Sequence, residues 1–343
     1  MTNPVGECLM IGFRGSRIDS GSAVAKAIRA GRAGGVILFD KHLATKSSDN
    51  NIIDPEQTRQ LVADLKNLAQ GDLLVAVDQE GGAVSRFKAE RGFPVTDGAS
   101  LLASCADTGA TRAAARQTAT MLSDLGIKFN LAPVVDLNTN PENPIIGRYG
   151  RSFGDDPQTV VQHAAAWIEE HHKLGIACCL KHFPGHGSSH HDSHLGFTDI
   201  SETWNKKELI PFQTLINHGL ADAVMTGHLF HRGLDPKFPA TLSPAIIGLL
   251  RRELAFDGPL VSDDMQMAAI TSQFGFAEAA WRALAAGIDM VLIGNNLVEF
   301  SNAPDQFERA IDEALRRGDL DENRIQEARR RVRFLKQSLE ARP

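Results

Sequence analysis

The stretch IACCLKHFPGHG, residues 176–187, runs apolar for five residues and then turns abruptly to Lys181, His182 and a Pro/Gly loop. A strand wetted on one side alternates polar and apolar side chains, whereas a strand with no polar side belongs in a sheet covered on both faces. Working outward, similar apolar runs occur at CLMIGF (8–13), GGVILF (34–39), LLVAV (73–77), KFNLAPV (128–134), ADAVMT (221–226), GPLVS (258–262) and IDMVLIG (288–294). Helical patterns lie near 21–32, 55–70, 108–125, 157–174, 203–219, 243–254, 276–286 and 303–317, and Asp156-Pro157 and Ser243-Pro244 read as helix starts. Eight strands alternating with helices predict an α/β chain: a single (β/α)₈ TIM-type barrel with long βα loops and C-terminal helices. Neither GxGxxG nor GxxxxGK[ST] follows a strand, which weakens an open nucleotide-binding sheet.

At roughly 100–200 residues per domain, 343 residues suggest two domains. A barrel alone takes about 250, and the long loops and C-terminal segment account for the remainder. One domain over 1–343 is therefore expected, with 303–341 as peripheral helices. Ile325, Ala328, Val332 and Leu335 follow one another at helical spacing, which predicts a helix packed outside the barrel.

The 36 Lys+Arg against 42 Asp+Glu give a net charge of −6, which argues against a general nucleic-acid binder. No apolar run reaches the roughly 18–20 residues needed to span a bilayer. The opening MTNPVGECLMIGFRG lacks the pattern of a signal peptide. Cys8, Cys105, Cys178 and Cys179 are too few for a disulfide framework and read as reduced thiols. A cytoplasmic protein with no membrane partner is expected.

Barrel enzymes place their chemistry at the C-terminal ends of the strands, and polar residues cluster at those points here. Arg14 follows the first run, Asp78-Gln79-Glu80-Gly81-Gly82 and Arg86 the third, and Asp136 the fourth. Lys181-His182 closes the fifth, His228 follows the sixth, Asp263-Asp264 the seventh and Asn295-Asn296 the eighth. That shared position points to an enzyme.

KHFPGHGSSHHDSH (181–194) holds five of the twelve histidines on a Gly/Pro loop. Solvated loop histidines are one reading of it, and a metal site is another. Zinc motifs set two His on one helical face or pair Cys with Cys, and neither arrangement occurs here, so no metal and no cofactor are expected. The remaining reading takes Asp192-Ser193-His194 as a unit, in which the carboxylate accepts one ring N–H, fixes the tautomer and makes His194 a proton shuttle.

Asp263 and Asp264 follow a strand as neighbours and should point in different directions. Asp263 is expected at the barrel mouth; Asp264 fits either a helix N-cap or the site. Asp78 could hold a polyol's hydroxyls with Arg86 beside it, or the two could simply brace a loop. A lysine buried at position 181 needs polar company, which favours contact with a ligand.

Together, DQEGGxVxRF (78–87), FNLAPVVD (129–136), GRSFG (150–154), KHFPGHG (181–187), DSH (192–194), MTGH (225–228) and SDDMQM (262–267) resemble the glycoside hydrolase family 3 β-N-acetylhexosaminidases. The resembling segments span most of the chain in the family's order. The resemblance implies Asp263 as nucleophile and His194 with Asp192 as the acid/base dyad. It implies Asp78, Arg86, Lys181 and His182 as holders of the sugar hydroxyls, with His228 in the matching active-site segment. Arg151 matches the family's arginine, and Arg148 competes for that match because IGRYGRSF carries two extra residues. A second departure is Ser188-Ser189, where the family commonly has Asp-Thr.

The activity implied is a retaining exo-β-N-acetylglucosaminidase acting on anhydro-muropeptides in cell-wall recycling, as a monomer with a carbohydrate as its partner. A family 3 β-glucosidase is the alternative within the fold. A metal-dependent barrel hydrolase and a non-catalytic sugar-binding protein are the alternatives from other classes.

Overall fold

A computed structural model describes residues 5–69, 73–104, 107–300 and 302–341. Cys105 lies outside the described residues. Eight parallel strands follow one another around a barrel: β1 Leu9–Ile11, β2 Gly35–Leu38, β3 Leu74–Val77, β4 Phe129–Asn130, β5 Ala177–Phe183, β6 Ala223–Thr226, β7 Leu260–Ser262 and β8 Val291–Ile293. Each expected apolar run overlaps one of them, and β5 continues past its run to Phe183. β8 pairs with β1, and the ring closes between β7 and β8 through a single Val261–Met290 bridge. Two backbone bonds, Ser262 N–H to the Met290 carbonyl and Met290 N–H to the Leu260 carbonyl, reinforce that seam. The Ser262 hydroxyl adds a third by accepting the Leu292 N–H at 2.9 Å. A (β/α)₈ barrel is the fold.

Side-chain alternation divides the core in two. Met10, Leu74, Ala76, Phe129, Ala177, Cys179, Met225 and Val261 fill the barrel interior, while their chain neighbours Leu9, Val75, Val77, Cys178 and Leu180 join the cluster beneath the outer helices. Cys8, Cys178 and Cys179 are buried thiols. Asp156 caps the helix Pro157–His172 and Ser243 caps Pro244–Gly248, each by accepting the N–H three residues on.

Three details differ from the sequence reading. β4 is short because Pro133 brings no N–H to a ladder, and pairing resumes only at the Val134–Lys181 bridge. A small parallel pair, Thr198–Asp199 with Leu229–Phe230, lies outside the barrel sheet. The third concerns the last helix, Glu322–Ala341, expected outside the barrel. Its Ile325 and Ala328 join the cluster beneath the outer helices, while Val332, Leu335 and Leu339 belong to the interior cluster, so the second half of the helix covers the barrel floor. Arg324 and Arg331 reach from it to the fully buried Asp289 just before β8. Among the described residues, no helix is long and apolar enough to cross a membrane.

Candidate active site

The inward parity of each strand continues past its last residue and aims the polar groups. Leu74 and Ala76 face inward on β3, so Asp78 and Glu80 follow them into the mouth. Ala177 and Cys179 lead in the same way to Lys181, and Val261 leads to Asp263. Lys181 Nζ sits 2.8 Å from Asp78 and 2.7 Å from Glu80. Arg151 grips Glu80 with both nitrogens, Nε and Nη2, at 2.8 and 2.9 Å, and its Nη2 lies 3.5 Å from His182 Nε2. Burial works against ionisation of Glu80, but the charges and hydrogen bonds of Arg151 and Lys181 prevail and hold its pKa well below the usual carboxylate range. Burial likewise opposes the Lys181 charge, and Asp78 and Glu80 keep its pKa raised. Arg86 is looser, 3.5 Å from Asp78 and 3.8 Å from Asp40.

Glu80 is the centre of this network, and the sequence reading passed over it inside the Asp78–Gly82 cluster. The signal was present, since residues two apart at a strand end share a side. Gly81 follows it with φ +93, and a Cβ there would lie 2.2 Å from the Asp97 carbonyl oxygen, so the turn that sets Glu80 in place requires glycine. The structure also separates the two arginines. Arg151 is buried in the network, whereas Arg148 pairs with Glu142 on the surface.

Asp136, fully buried, accepts His182 Nδ1–H at 2.7 Å and the His182 and His186 backbone N–H groups at 3.1 and 2.8 Å. This leaves His182 Nε2 turned toward Arg151. Asp263 continues β7 and donates its backbone N–H to the Thr226 carbonyl. Burial would raise its pKa, but the neighbouring imidazoles of His228, His182 and His194 lower it below the ordinary carboxylate value. Asp264 points elsewhere, as alternation requires. It accepts the N–H groups of Gln266 and Gly294, and its pKa is pushed up to about 6 by burial and by the Asp263 charge. Its work is to tie the β7 and β8 loops together, not to cap a helix.

His194 Nδ1–H donates to Asp192 Oδ1 at 2.8 Å, and the His194 backbone N–H donates to the same oxygen. Nε2 carries the exchangeable proton on the other side of the ring. Burial opposes the imidazolium charge, but the Asp192 hydrogen bond and the Asp263 and Asp192 charges outweigh it and raise the His194 pKa. The two side chains are 47% and 21% exposed, so the pair stands at the mouth within reach of solvent.

Other residues expected at the site turn out to brace it. His228 has Nδ1 on the Thr241 hydroxyl (2.8 Å) and Nε2 on the Asp264 carbonyl (3.0 Å), so neither nitrogen is left for a sugar. Its pKa is lowered by burial. Asn295 and Asn296 hydrogen-bond to loops, and Arg14 is exposed. Among the described residues, no group of three or more His, Cys, Asp or Glu side chains could hold a metal ion.

The mouth has an apolar rim. Among the described residues, the exposed large hydrophobic side chains Leu43, Val95, Leu101, Tyr149, Leu195, Phe197 and Val298 stand on the segments that lead from a barrel strand to the next long outer helix.

A profile of the glycosyl hydrolase family 3 N-terminal domain matches residues 4–335. Beta-hexosaminidase LpqI of Mycobacterium tuberculosis is 38% identical over 272 residues, which cover 77% of this chain and 68% of the relative. The structure of a family 3 beta-N-acetylglucosaminidase from a Paenibacillus species superposes with a TM-score of 0.88 at 34% identity, over 98% of this chain. This chain spans 62% of that longer structure. The beta-N-acetylhexosaminidase from Beutenbergia cavernae superposes with a TM-score of 0.85 at 30% identity and is covered over 97% of both chains.

Proposed function

The chain belongs to glycosyl hydrolase family 3, and from that premise we propose that it is a retaining exo-β-N-acetylhexosaminidase that removes terminal N-acetylglucosamine. The observation that carries the reading is the Asp192–His194 pair, held within electrostatic reach of Asp263. An ionised carboxylate and a protonatable imidazole at one mouth are the two groups that double displacement needs.

Asp263, ionised at neutral pH, attacks the anomeric carbon while His194 Nε2–H gives its proton to the departing oxygen. The bond to the leaving group breaks as the glycosyl–Asp263 ester forms. Water then yields a proton to His194 Nε2, its oxygen attacks the same carbon, and the ester bond breaks to free Asp263. Asp192 stabilises the imidazolium whenever His194 is charged. Lys181, Arg151 and His182, ordered by Glu80 and Asp136, present donors and an acceptor to the sugar hydroxyls, with Asp78 and Arg86 beside them.

The relatives' names supply the amino-sugar specificity, and the dyad supports it over a glucosidase. The same reading takes residues 1–343 as one barrel domain, with the floor helix part of it. It takes the substrate as anhydro-muropeptides, hydrolysed by a monomer during cell-wall recycling in the cytoplasm. The buried thiols suit a reducing compartment.

The test is hydrolysis of nitrophenyl N-acetylglucosaminide against nitrophenyl glucoside, followed by trapping with a fluorinated N-acetylglucosamine analogue. Turnover of the first substrate and a label on Asp263 are expected. A product of inverted configuration, or a label elsewhere, sinks the reading.

A further inference from the structure

His186 takes no part in the mechanism above, yet it is the most fully bonded histidine of the loop that carries the dyad. Its ring is buried between two hydroxyls, with Nδ1 2.8 Å from Ser189 Oγ and Nε2 3.1 Å from Ser193 Oγ. Ser193 separates Asp192 from His194 in sequence. The two dyad residues stand partly in solvent, but Ser193 is fully buried.

The proton directions follow from the partners. Ser189 has one hydroxyl proton, directed at the His191 carbonyl, and it accepts from Asn143 Nδ2 at 3.0 Å. With that proton on the His191 carbonyl, the contact with His186 is a donation from Nδ1–H; the other tautomer of the neutral ring reverses both bonds of the ring and keeps the bridge. Nε2 of His186 is then the acceptor, and the Ser193 hydroxyl donates to it. Burial lowers the His186 pKa to about 4, with a contribution from the His182 charge, so the ring stays neutral and able to do both.

Both ends of this bridge are anchored in the site. The His186 backbone N–H donates to Asp136, the carboxylate that also orients His182. On the other side, the Ser193 and His194 carbonyls accept the N–H groups of Ala269 and Ala268, just beyond the nucleophile's loop.

We propose that His186 is the positioning residue of the acid/base dyad: through Ser193 it fixes the turn that carries Asp192 and His194 and joins it to the carboxylate that orders the sugar site. The inference rests on the proposed function, because only a proton donor needs its ring held at one distance from a glycosidic oxygen. A reacting group displaced by about 1 Å can lose on the order of 10²-fold in rate.

The experiment compares Ser193→Ala, His186→Asn and His194→Ala in the full chain, on aryl N-acetylglucosaminides whose leaving groups differ in acidity. A dinitrophenolate departs without a proton, while a methylumbelliferyl or alkyl group needs one. Ser193→Ala is expected to lower kcat/KM roughly ten- to hundredfold on the poor leaving groups and to change it little on the dinitrophenyl substrate. Adding His186→Asn should cost little more, because both variants break one bridge. Where His186→Asn fails to fold, Ser193→Ala alone decides.

Equal losses on all substrates would mark a merely structural role and overturn the proposal, as would no loss on any. A steep leaving-group dependence in His194→Ala with none in Ser193→Ala would overturn the tether alone. A flat His194→Ala series would overturn the dyad assignment and the tether with it.

Discussion

The two sides of the mouth are built by opposite means. Glu80, Asp136, Lys181 and His182 stand on or just past strand ends, and Arg151 reaches them from the long loop after β4, all buried in a net of ion pairs. Asp192 and His194 ride on a turn beyond β5, half in solvent, attached through hydroxyls and backbone carbonyls. Strand ends give the finer placement, and sugar hydroxyls, read by several donors at once, reward it. Proton transfer involves one bond that must open to admit a leaving group and a water, and a loop allows that. Under the proposed function, recognition thus falls to the buried net and proton transfer to a tethered loop.

The contrast can be broken at its strongest point first. Arg151→Met would leave Glu80 buried with Lys181 as its remaining cation. Removing one partner of a buried pair costs about 3–5 kcal/mol, and that loss is expected in denaturant unfolding along with most of the kcat/KM. A stability change below about 1 kcal/mol would show the strand-end net to be no more rigid than the loop.

On the loop side, Asp192→Asn should leave unfolding nearly unchanged but lower kcat/KM by roughly 10²–10³-fold. It should also move the profile. The acid must be protonated, Asp192 raises the pKa of His194, and deleting that charge brings the basic limb to lower pH. A basic limb that stays in place would detach Asp192 from the acid. The smallest effect sharpens the boundary of the site. Arg148→Ala, three residues from Arg151 but on the surface, should change stability by less than about 0.5 kcal/mol and leave kcat/KM alone. A large loss of activity there would extend the sugar site onto the inserted turn.

Much of this was legible from local periodicity. The apolar runs located the eight strands, and alternation sent Asp263 inward and Asp264 aside. The same rule, carried from Asp78 to Glu80, would have found the central carboxylate. What the chain hides is which of several like residues a fold selects. Five histidines between 181 and 194 look alike in sequence; the structure sets His182 on Asp136, His186 between two serine hydroxyls and His194 on Asp192. His190 and His191 are left exposed. The partners that take both His228 nitrogens, the Thr241 hydroxyl and the Asp264 carbonyl, arrive from distant segments, so the sequence around His228 does not show them. For the last helix the spacing predicted the buried face, Ile325, Ala328, Val332 and Leu335, but not that the face is shared between the outer helices and the barrel floor.

The ring of Leu43, Tyr149, Leu195, Val298 and their neighbours has a thermodynamic consequence. Apolar surface kept wet around a polar pit is hydration held ready for release. A ligand confined to the pit exchanges hydrogen bonds with water for hydrogen bonds with protein. One long enough to lie across the rim also dries that apolar surface, and the mark of such drying is a more negative heat-capacity change on binding. The length of the bound saccharide is thereby written into how its affinity varies with temperature.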